Sequence, residues 1–398
     1  MSQTVSLRAD HATEIGRFWP AVVACFATAV LGWGFGFTGT SVYLAELQRL
    51  RHWPGATIAS AIAAYYLLGA LCLLRLDTVM RRLGAARMLS TSAALLTLGS
   101  TVFVRSTQVW QLYGAAVLMA AGWAGCTSAA ISSTLALYFK HQRGLAITLA
   151  LNGASTAGFT VAPLLVELSE HIGVGNAVPL VAAGMLAIVV PLNLFGLPRP
   201  TGGSAVAVSD PALRANNVLR TWRFWSVALP FALALAAQVG LIVHLVSFLL
   251  PRLGASSAAT AFALTSFAAV SGRLVLAGTI DRLPQRRAAA ASFASQAVGV
   301  ALMLAFPHQP EALYAGCMLF GLSVGNVITF PALIIQREFP PAAFGTVIGL
   351  STSVGQFTFA LAPAVLGVIR DATGGYPAVL VACIACQLVA AIIVLARR

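Results

Sequence analysis

Residues Phe224–Leu249 read FWSVALPFALALAAQVGLIVHLVSFL, a stretch without a single acidic residue, lysine or arginine. A helix needs about 20 apolar residues to cross the hydrocarbon core of a bilayer. Lipid offers no partners to backbone N–H and C=O groups, so a single stretch of this kind is stable there as a helix. The stretch therefore predicts a membrane-spanning helix and a fold built from such helices.

Eleven further apolar runs of similar length occur on either side of this stretch. They cover Phe18–Leu44, Pro54–Leu76, Ala85–Phe103, Val109–Leu137, Leu145–Val166, Ala177–Leu197, Ala258–Ile280, Ala288–Phe306, Ala312–Ile335, Phe344–Ile369 and Tyr376–Leu395. Hydrophobic residues make up 59% of the chain and charged residues only 9%, whereas a soluble domain carries about 25% charged residues. The composition predicts an all-α membrane protein with twelve transmembrane helices.

The net charge of +13 comes from cations that lie in small groups between the apolar runs. Cytoplasmic loops of membrane proteins are enriched in lysine and arginine. With the N-terminus in the cytoplasm, 18 of the 24 lysines and arginines fall on the cytoplasmic side, five on the other side, and Arg273 inside a run. The bias predicts cytoplasmic N- and C-termini, and the scattered pattern argues against nucleic acid as a partner.

The longest break between runs separates two halves of the chain. It is rich in proline, glycine and serine, which is typical of a flexible linker. We expect an N-terminal six-helix bundle over residues 1–197, a cytoplasmic linker over 198–221 and a C-terminal six-helix bundle over 222–398.

Several features recur after 200 residues, which indicates an internal repeat. The recurring residues are Arg82 and Arg282, Arg87 and Arg287, and Ala162-Pro163 and Ala362-Pro363. The repeat predicts two pseudo-symmetric bundles related by an axis along the membrane normal.

The loops between the second and third and between the eighth and ninth runs carry a motif. The C-terminal copy contains Gly272, Arg273, Gly278, Asp281, Arg282, Arg286 and Arg287, and the N-terminal copy keeps Arg82, Gly84 and Arg87. With the twelve runs and the repeat, this resembles the major facilitator superfamily and its G-x-x-x-D-R-x-G-R-R loop. The resemblance implies that Arg82, Gly84, Arg87, Asp281, Arg282 and Arg286 act in gating. In the first copy Arg81 replaces the acid, and Asp77 lies one turn earlier.

Other stretches are similar to the monocarboxylate and oxalate-formate antiporter-like branch of that superfamily. They are Gly32–Phe37, the loop Tyr138–Gly144 with the helix that follows, and Asp371–Tyr376 before the last run. The resemblance implies transport of small carboxylates. It also implies an arginine in the eighth helix that faces the carboxylate, a position that Arg273 occupies.

Arg273 lies about midway along the run Ala258–Ile280. An unpaired charge at membrane depth costs at least ~2.5–3.5 kcal/mol, so the side chain needs a polar cavity or a partner. A guanidinium binds a carboxylate through two parallel hydrogen bonds. We expect substrate contact, and a structural arginine paired to another helix is the alternative.

Further candidates for substrate contact are polar or aromatic residues inside the runs: Tyr66, Asn152, Gln238, His244, Asn326 and Gln356, with Trp33, Phe37 and Trp123 as apolar walls. Interhelical hydrogen bonding and core packing are the alternatives for these. His244 is a mid-helix imidazole that could titrate near neutral pH. The acid and the lysine that proton-coupled monocarboxylate carriers use are Ala269 and Gly39 here, so proton symport is poorly supported.

The function expected from the sequence is secondary active or facilitative transport of a small organic anion of the monocarboxylate type by alternating access. The alternative is a carrier for an uncharged or cationic small molecule. We expect a multi-pass monomer in the inner membrane, with the lipid bilayer and a carboxylate as partners. A coupled proton or counter-substrate stays open. The sequence contains no P-loop, HExxH or credible GxSxG motif, so we expect no cofactor, no metal and no enzymatic activity.

Overall fold

A computed structural model describes residues 2–139, 141–197, 215–277 and 283–396. All regular structure in these ranges is helical, and none of these residues forms a strand. The first part contains α1 (Ser2–Trp33), α2 (Gly39–Arg51), α3 (Gly55–Leu73), α4 (Leu76–Leu83), α5 (Ala85–Arg105), α6 (Val109–Ala124), α7 (Ser128–Leu135), α8 (Arg143–Ile172) and α9 (Val174–Gly196).

The second part contains α10 (Ala215–Leu219), α11 (Trp222–Leu253), α12 (Ala255–Ala277), α13 (Gln285–Ala305), α14 (Pro310–Val327), α15 (Phe330–Glu338), α16 (Phe344–Thr373) and α17 (Pro377–Leu395). Within the described ranges, ten helices are long and apolar enough to cross a membrane, and up to twelve if each of two bent helix pairs forms one span. The prediction of an all-α membrane protein is confirmed.

Several of the predicted runs are bent or interrupted helices. The run Ala312–Ile335 bends by 43° between α14 and α15, where Pro331 has no N–H to donate to the carbonyl of Val327. The run Val109–Leu137 is interrupted between α6 and α7. The first span covers Gly16–Arg51 and includes a π-helical turn at Gly34–Thr38. At the break between α14 and α15, the N–H of Thr329 donates to the carbonyl of Asn326 rather than to that of Gly325.

The chain divides into two compact units. The first comprises Met1–Asp210 and Ala342–Gly349, and the second comprises Pro211–Pro341 and Leu350–Arg398. In the first unit α1 packs along α8, and α5 packs along α6 and α9. In the second unit α14 packs against α12 and α13, and α17 packs against α11 and α13. The proposed division at a linker over 198–221 stays a prediction, and residues 198–214 lie outside the described residues.

The same close helix contact occurs once in each unit, 200 residues apart. Gly99 on α5 faces α6, and a β-carbon there would lie 2.7 Å from the backbone nitrogen of Met119. Gly299 on α13 faces α14, and a β-carbon there would lie 2.6 Å from the carbonyl oxygen of Gly316. Both contacts are to backbone atoms, which cannot move aside without displacing a helix. Pro163 and Pro363 also lie inside the corresponding helices α8 and α16.

We predict that Gly99→Ala and Gly299→Ala each lower the stability of the folded protein by ~1–3 kcal/mol, the cost of overpacking a close-packed contact. Gly184→Ala is the matched control, because no atom lies within 4 Å of its added β-carbon. Thermal unfolding of the purified protein in detergent measures the effect. An unchanged midpoint for Gly99→Ala and Gly299→Ala would contradict the contacts.

Candidate functional site

The π-helical turn of the first span holds two phenols. The carbonyl of Gly36 accepts hydrogen bonds from Tyr65 at 2.9 Å and from Tyr66 at 2.8 Å. A β-carbon at Gly36 would lie 2.5 Å from the Trp123 ring and 2.6 Å from the Tyr65 hydroxyl. The glycine therefore allows the side chains of α3 and α6 to approach the turn. Such π turns are frequent at functional sites.

An aromatic cluster surrounds this turn. The rings of Trp33 and Trp123 are 5.2 Å apart, and those of Tyr65 and Tyr66 are 4.4 Å apart. Tyr66 lies edge-on to Trp123 at 6.3 Å. The structure thus brings together three predicted site residues, Trp33, Tyr66 and Trp123, and Phe37 lies in the same turn. The indole Nε1 of Trp123 is buried and has no hydrogen-bond partner within the described part of the chain.

Three predicted amides each carry a buried atom that lacks a hydrogen-bond partner among the described residues. These atoms are Oδ1 of Asn152 on α8, Oδ1 of Asn326 on α14 and Nε2 of Gln356 on α16. Buried polar atoms nearly always find a partner, which is protein, ordered water or ligand. Substrate contact by these three residues stays a prediction. Their buried polar atoms without a hydrogen-bond partner favour it.

Arg273 lies on α12, four residues before Ala277, the last residue of this helix that the structure describes. Its side chain is only 2% exposed. Nε and Nη2 donate to the carbonyl of Gly325 at 3.2 and 2.9 Å. A β-carbon at Gly325 would lie 2.7 Å from Nε, so glycine is required for this approach.

The break between α14 and α15 explains why the Gly325 carbonyl can accept from an arginine. In a continuous helix this carbonyl would accept from the N–H of Thr329. Here the Thr329 N–H donates to Asn326 at 3.0 Å instead. The C-terminal end of a helix carries partial negative charge, which favours a cation. The break therefore brings Arg273 next to Gly325, which directly precedes the predicted site residue Asn326.

Gln238 and His244 both lie on α11 and both bond to other helices of the second unit. Gln238 accepts from Nε2 of Gln296 on α13 at 2.8 Å. His244 Nε2 lies 3.0 Å from the carbonyl of Pro363 on α16. A carbonyl only accepts, so Nε2 of His244 carries the proton in this bond. Interhelical bonding, the alternative considered for both, is present, and substrate contact stays a prediction.

Arg286, predicted as a gating residue, is the centre of a buried polar cluster at one end of the second unit. Its Nε and Nη2 bond both carboxylate oxygens of Glu338 at 2.6 and 2.7 Å. Its Nη1 donates to the carbonyl of Val394 at 2.8 Å, and its Nη2 donates to the hydroxyl of Ser226 at 2.9 Å. The arginine links four helices. The other two gating residues of this loop, Asp281 and Arg282, lie outside the described residues.

The sequence did not identify Glu338 as the partner of Arg286, because no motif position corresponds to it. The residues 200 positions before Arg286 and Glu338 are Ala86 and Tyr138, neither of which is charged. Burial raises the pKa of Tyr138 to about 12, so its phenol stays protonated at neutral pH. The ion pair has no counterpart in the first unit at these positions.

In the first unit, the acid that contacts another helix end is Asp77. Its carboxylate forms an ion pair with Arg81 and accepts from the hydroxyl of Thr346 at 3.4 Å. Thr346 belongs to the first turn of α16, which clusters with this unit. Of the predicted gating residues, Arg82 and Arg87 are exposed, and Gly84 joins α4 to α5 with a φ of 77°. Neither arginine side chain bonds another residue that the structure describes.

Long apolar helices with buried polar side chains at helix breaks are typical of membrane transporters. The chain belongs to the Major Facilitator Superfamily, whose family model matches residues 24–363. Members of this family are multi-pass membrane transporters of small molecules and are not enzymes, as expected from the sequence.

Characterised relatives are similar at low identity. Monocarboxylate transporter 13 of Bos taurus is 27% identical over 91% of this chain and 85% of its own length. The cyanate transport protein CynX of Escherichia coli (strain K12) is 25% identical over 73% of this chain and 74% of its own. The solved structure of the E. coli fucose:proton symporter FucP superposes with a TM-score of 0.69 at 16% identity, covering 93% of this chain and 97% of FucP.

We predict that Glu338→Gln lowers the free energy of unfolding by roughly 3 kcal/mol, because it leaves the charge of Arg286 buried without its carboxylate. The side chains of Arg286 and Glu338 are 8% and 18% exposed. Glu46→Gln is the matched control, since its partner Arg49 is 63% exposed and surface pairs contribute about 0–1 kcal/mol. Equal shifts of the thermal midpoint for the two variants would contradict the assignment.

Proposed function

We propose that this protein is a secondary transporter of a small organic anion of the monocarboxylate type, working by alternating access in the inner membrane. The observation that carries the proposal is Arg273, a fully buried guanidinium in a membrane-spanning helix. The names of two relatives support the same class of substrate, because monocarboxylates and cyanate are small singly charged anions.

The bond between Arg273 and Gly325 is compatible with an anion site. A carbonyl is a dipole, and that of Gly325 orients the positively charged guanidinium through its Nε–Nη2 edge. In a low-dielectric interior this charge attracts an anion far more strongly than it would in water. Asn326, adjacent to Gly325, adds a polar side chain at the same helix break.

Within the first unit, taken by itself, an aromatic cluster also has features suited to substrate contact. The rings of Trp33, Tyr65 and Tyr66 present apolar surface, which is how most ligand sites are lined. The Trp123 indole N–H could donate a hydrogen bond to an oxygen of an anion. Phe37, Asn152 and Gln356 complete the set of proposed substrate contacts.

Gating is proposed for the polar contacts at helix ends. In the first unit Asp77 bonds the first turn of α16, and in the second unit Arg286 bonds Glu338. Ion pairs and carboxylates at helix N-termini can form in one conformation and break in another at a cost of a few kcal/mol. Gly84 provides the turn that lets α4 end beside the start of α5.

We predict that Arg273→Gln lowers the rate of carboxylate counterflow in proteoliposomes at least about 10-fold. The physical reason is that a charged hydrogen bond contributes ~1.5–3 kcal/mol. Arg273→Lys retains the charge without the two-pronged geometry and gives a partial loss. Arg105→Gln is the matched control, because Arg105 also donates to a carbonyl, that of Gly175, but is exposed.

The assay uses labelled small monocarboxylates and cyanate beside their neutral amides. Full carboxylate exchange by Arg273→Gln would overturn the anion site, and exchange of the neutral amides alone would favour the carrier for uncharged compounds.

We predict that His244→Gln leaves the pH dependence of exchange unchanged. The imidazole Nε2 donates to the Pro363 carbonyl, and glutamine can make the same bond through its amide N–H. Counterflow is measured between about pH 5.5 and 8, a window centred on the usual histidine pKa of about 6.5. A pH-dependent rate in the parent that becomes flat in His244→Gln would instead assign proton coupling to this residue.

A further inference from the structure

Three buried glutamines of the second unit form a single hydrogen-bonded chain. Gln387 on α17 donates to Oε1 of Gln296 on α13 at 2.5 Å, and Gln296 donates to Oε1 of Gln238 on α11 at 2.8 Å. Gln296 and Gln387 are completely buried, and Gln238 is 4% exposed. The chain thus crosses the core of the unit between three helices.

The direction of the chain is set by the backbone. Nε2 of Gln387 also donates to the carbonyl of Ala234 at 3.2 Å. A carbonyl only accepts, so the nitrogen of Gln387 must face it, and the same nitrogen then faces the oxygen of Gln296. The nitrogen of Gln296 in turn faces the oxygen of Gln238. The usual ambiguity between amide oxygen and nitrogen is therefore removed at all three residues.

The free end of this directed chain is the nitrogen of Gln238. Its oxygen accepts from Gln296, and its Nε2 makes no hydrogen bond with another residue that the structure describes. Amides aligned in this way polarise one another, which strengthens the donor at the end of the chain. A strengthened N–H donor suits an anionic acceptor.

The internal repeat shows that the fold does not require these glutamines. The positions 200 residues before Gln238, Gln296 and Gln387 are Thr38, Leu96 and Ala187. The first unit packs α5, the counterpart of α13, with the apolar side chain of Leu96 fully buried. Burying amides contributes little net stability compared with apolar packing. A functional reason for the chain in the second unit is therefore expected.

We propose that Gln296 and Gln387 are positioning residues that hold the carboxamide of Gln238 with its nitrogen presented to the substrate carboxylate. The proposal rests on the proposed transport of a carboxylate. Without the chain, the Gln238 side chain rotates about its last bond and presents its oxygen, which repels the anion. The chain thus acts on affinity and on discrimination between a carboxylate and its neutral amide, through Gln238 alone.

A double-mutant cycle in proteoliposomes tests the chain. We expect Gln387→Leu to raise the KM for carboxylate counterflow about fivefold, the equivalent of one neutral hydrogen bond. In a Gln238→Leu background the same substitution should have no further effect, because no carboxamide is left to orient. Gln296→Leu should behave in the same way, and it provides a second variant if Gln387→Leu does not fold.

The control is Asn193→Leu, which removes a fully buried amide of the first unit bonded to Thr28 at 3.1 Å. It should lower the thermal midpoint without changing the ratio of KM values for carboxylate and amide. A residue that acts only on stability would give the same effect in both backgrounds of the cycle.

Two results overturn the proposal in distinguishable ways. If Arg273→Gln abolishes carboxylate exchange while Gln387→Leu and Gln296→Leu raise KM equally with and without Gln238, or not at all, the chain has no positioning role and the transport function stands. If Arg273→Gln exchanges carboxylates as the parent does, the proposed anion site is wrong, and the role of the glutamines falls with it.

Discussion

A backbone carbonyl in a membrane has no water to bond, so each carbonyl released by a bent or broken helix needs a donor from the protein. The structure meets this constraint with side chains. The carbonyl of Gly36 in the π turn takes two phenols, those of Tyr65 and Tyr66. The carbonyl of Gly325 at the break of α14 takes the guanidinium of Arg273. Residues that the sequence marks as functional candidates are thus placed by helix irregularities.

This constraint also joins two interpretations of Arg273 that first stand as alternatives. A structural arginine satisfies a backbone group, and a substrate-binding arginine keeps its charge for a ligand. The Gly325 carbonyl is compatible with both, because it orients the guanidinium and is itself a dipole rather than a counter-ion. His244 follows the same rule, because its Nε2 donates to the carbonyl of Pro363 on another helix.

The sequence predicted the helices well because membrane-spanning length is a local property, readable from uninterrupted apolar residues. It placed Arg273 inside the eighth apolar run, and Arg273 lies on the corresponding helix α12. The partners of predicted residues were missed for a different reason. Glu338 lies 52 residues from Arg286, and Gln296 and Gln387 lie in separate runs. Such contacts depend on which helix faces which, and hydropathy carries no signal for that.

The gating loops show how a lost motif residue can be replaced. Arg81 occupies the position of the motif acid in the first loop. A carboxylate, that of Asp77, still bonds the first turn of α16. Asp77 and Arg81 are four residues apart on α4, so they lie on the same helix face, one turn apart. Moving the acid by four positions shifts it by about 6 Å along the axis without turning it away. The face, rather than the motif position, is what this contact requires.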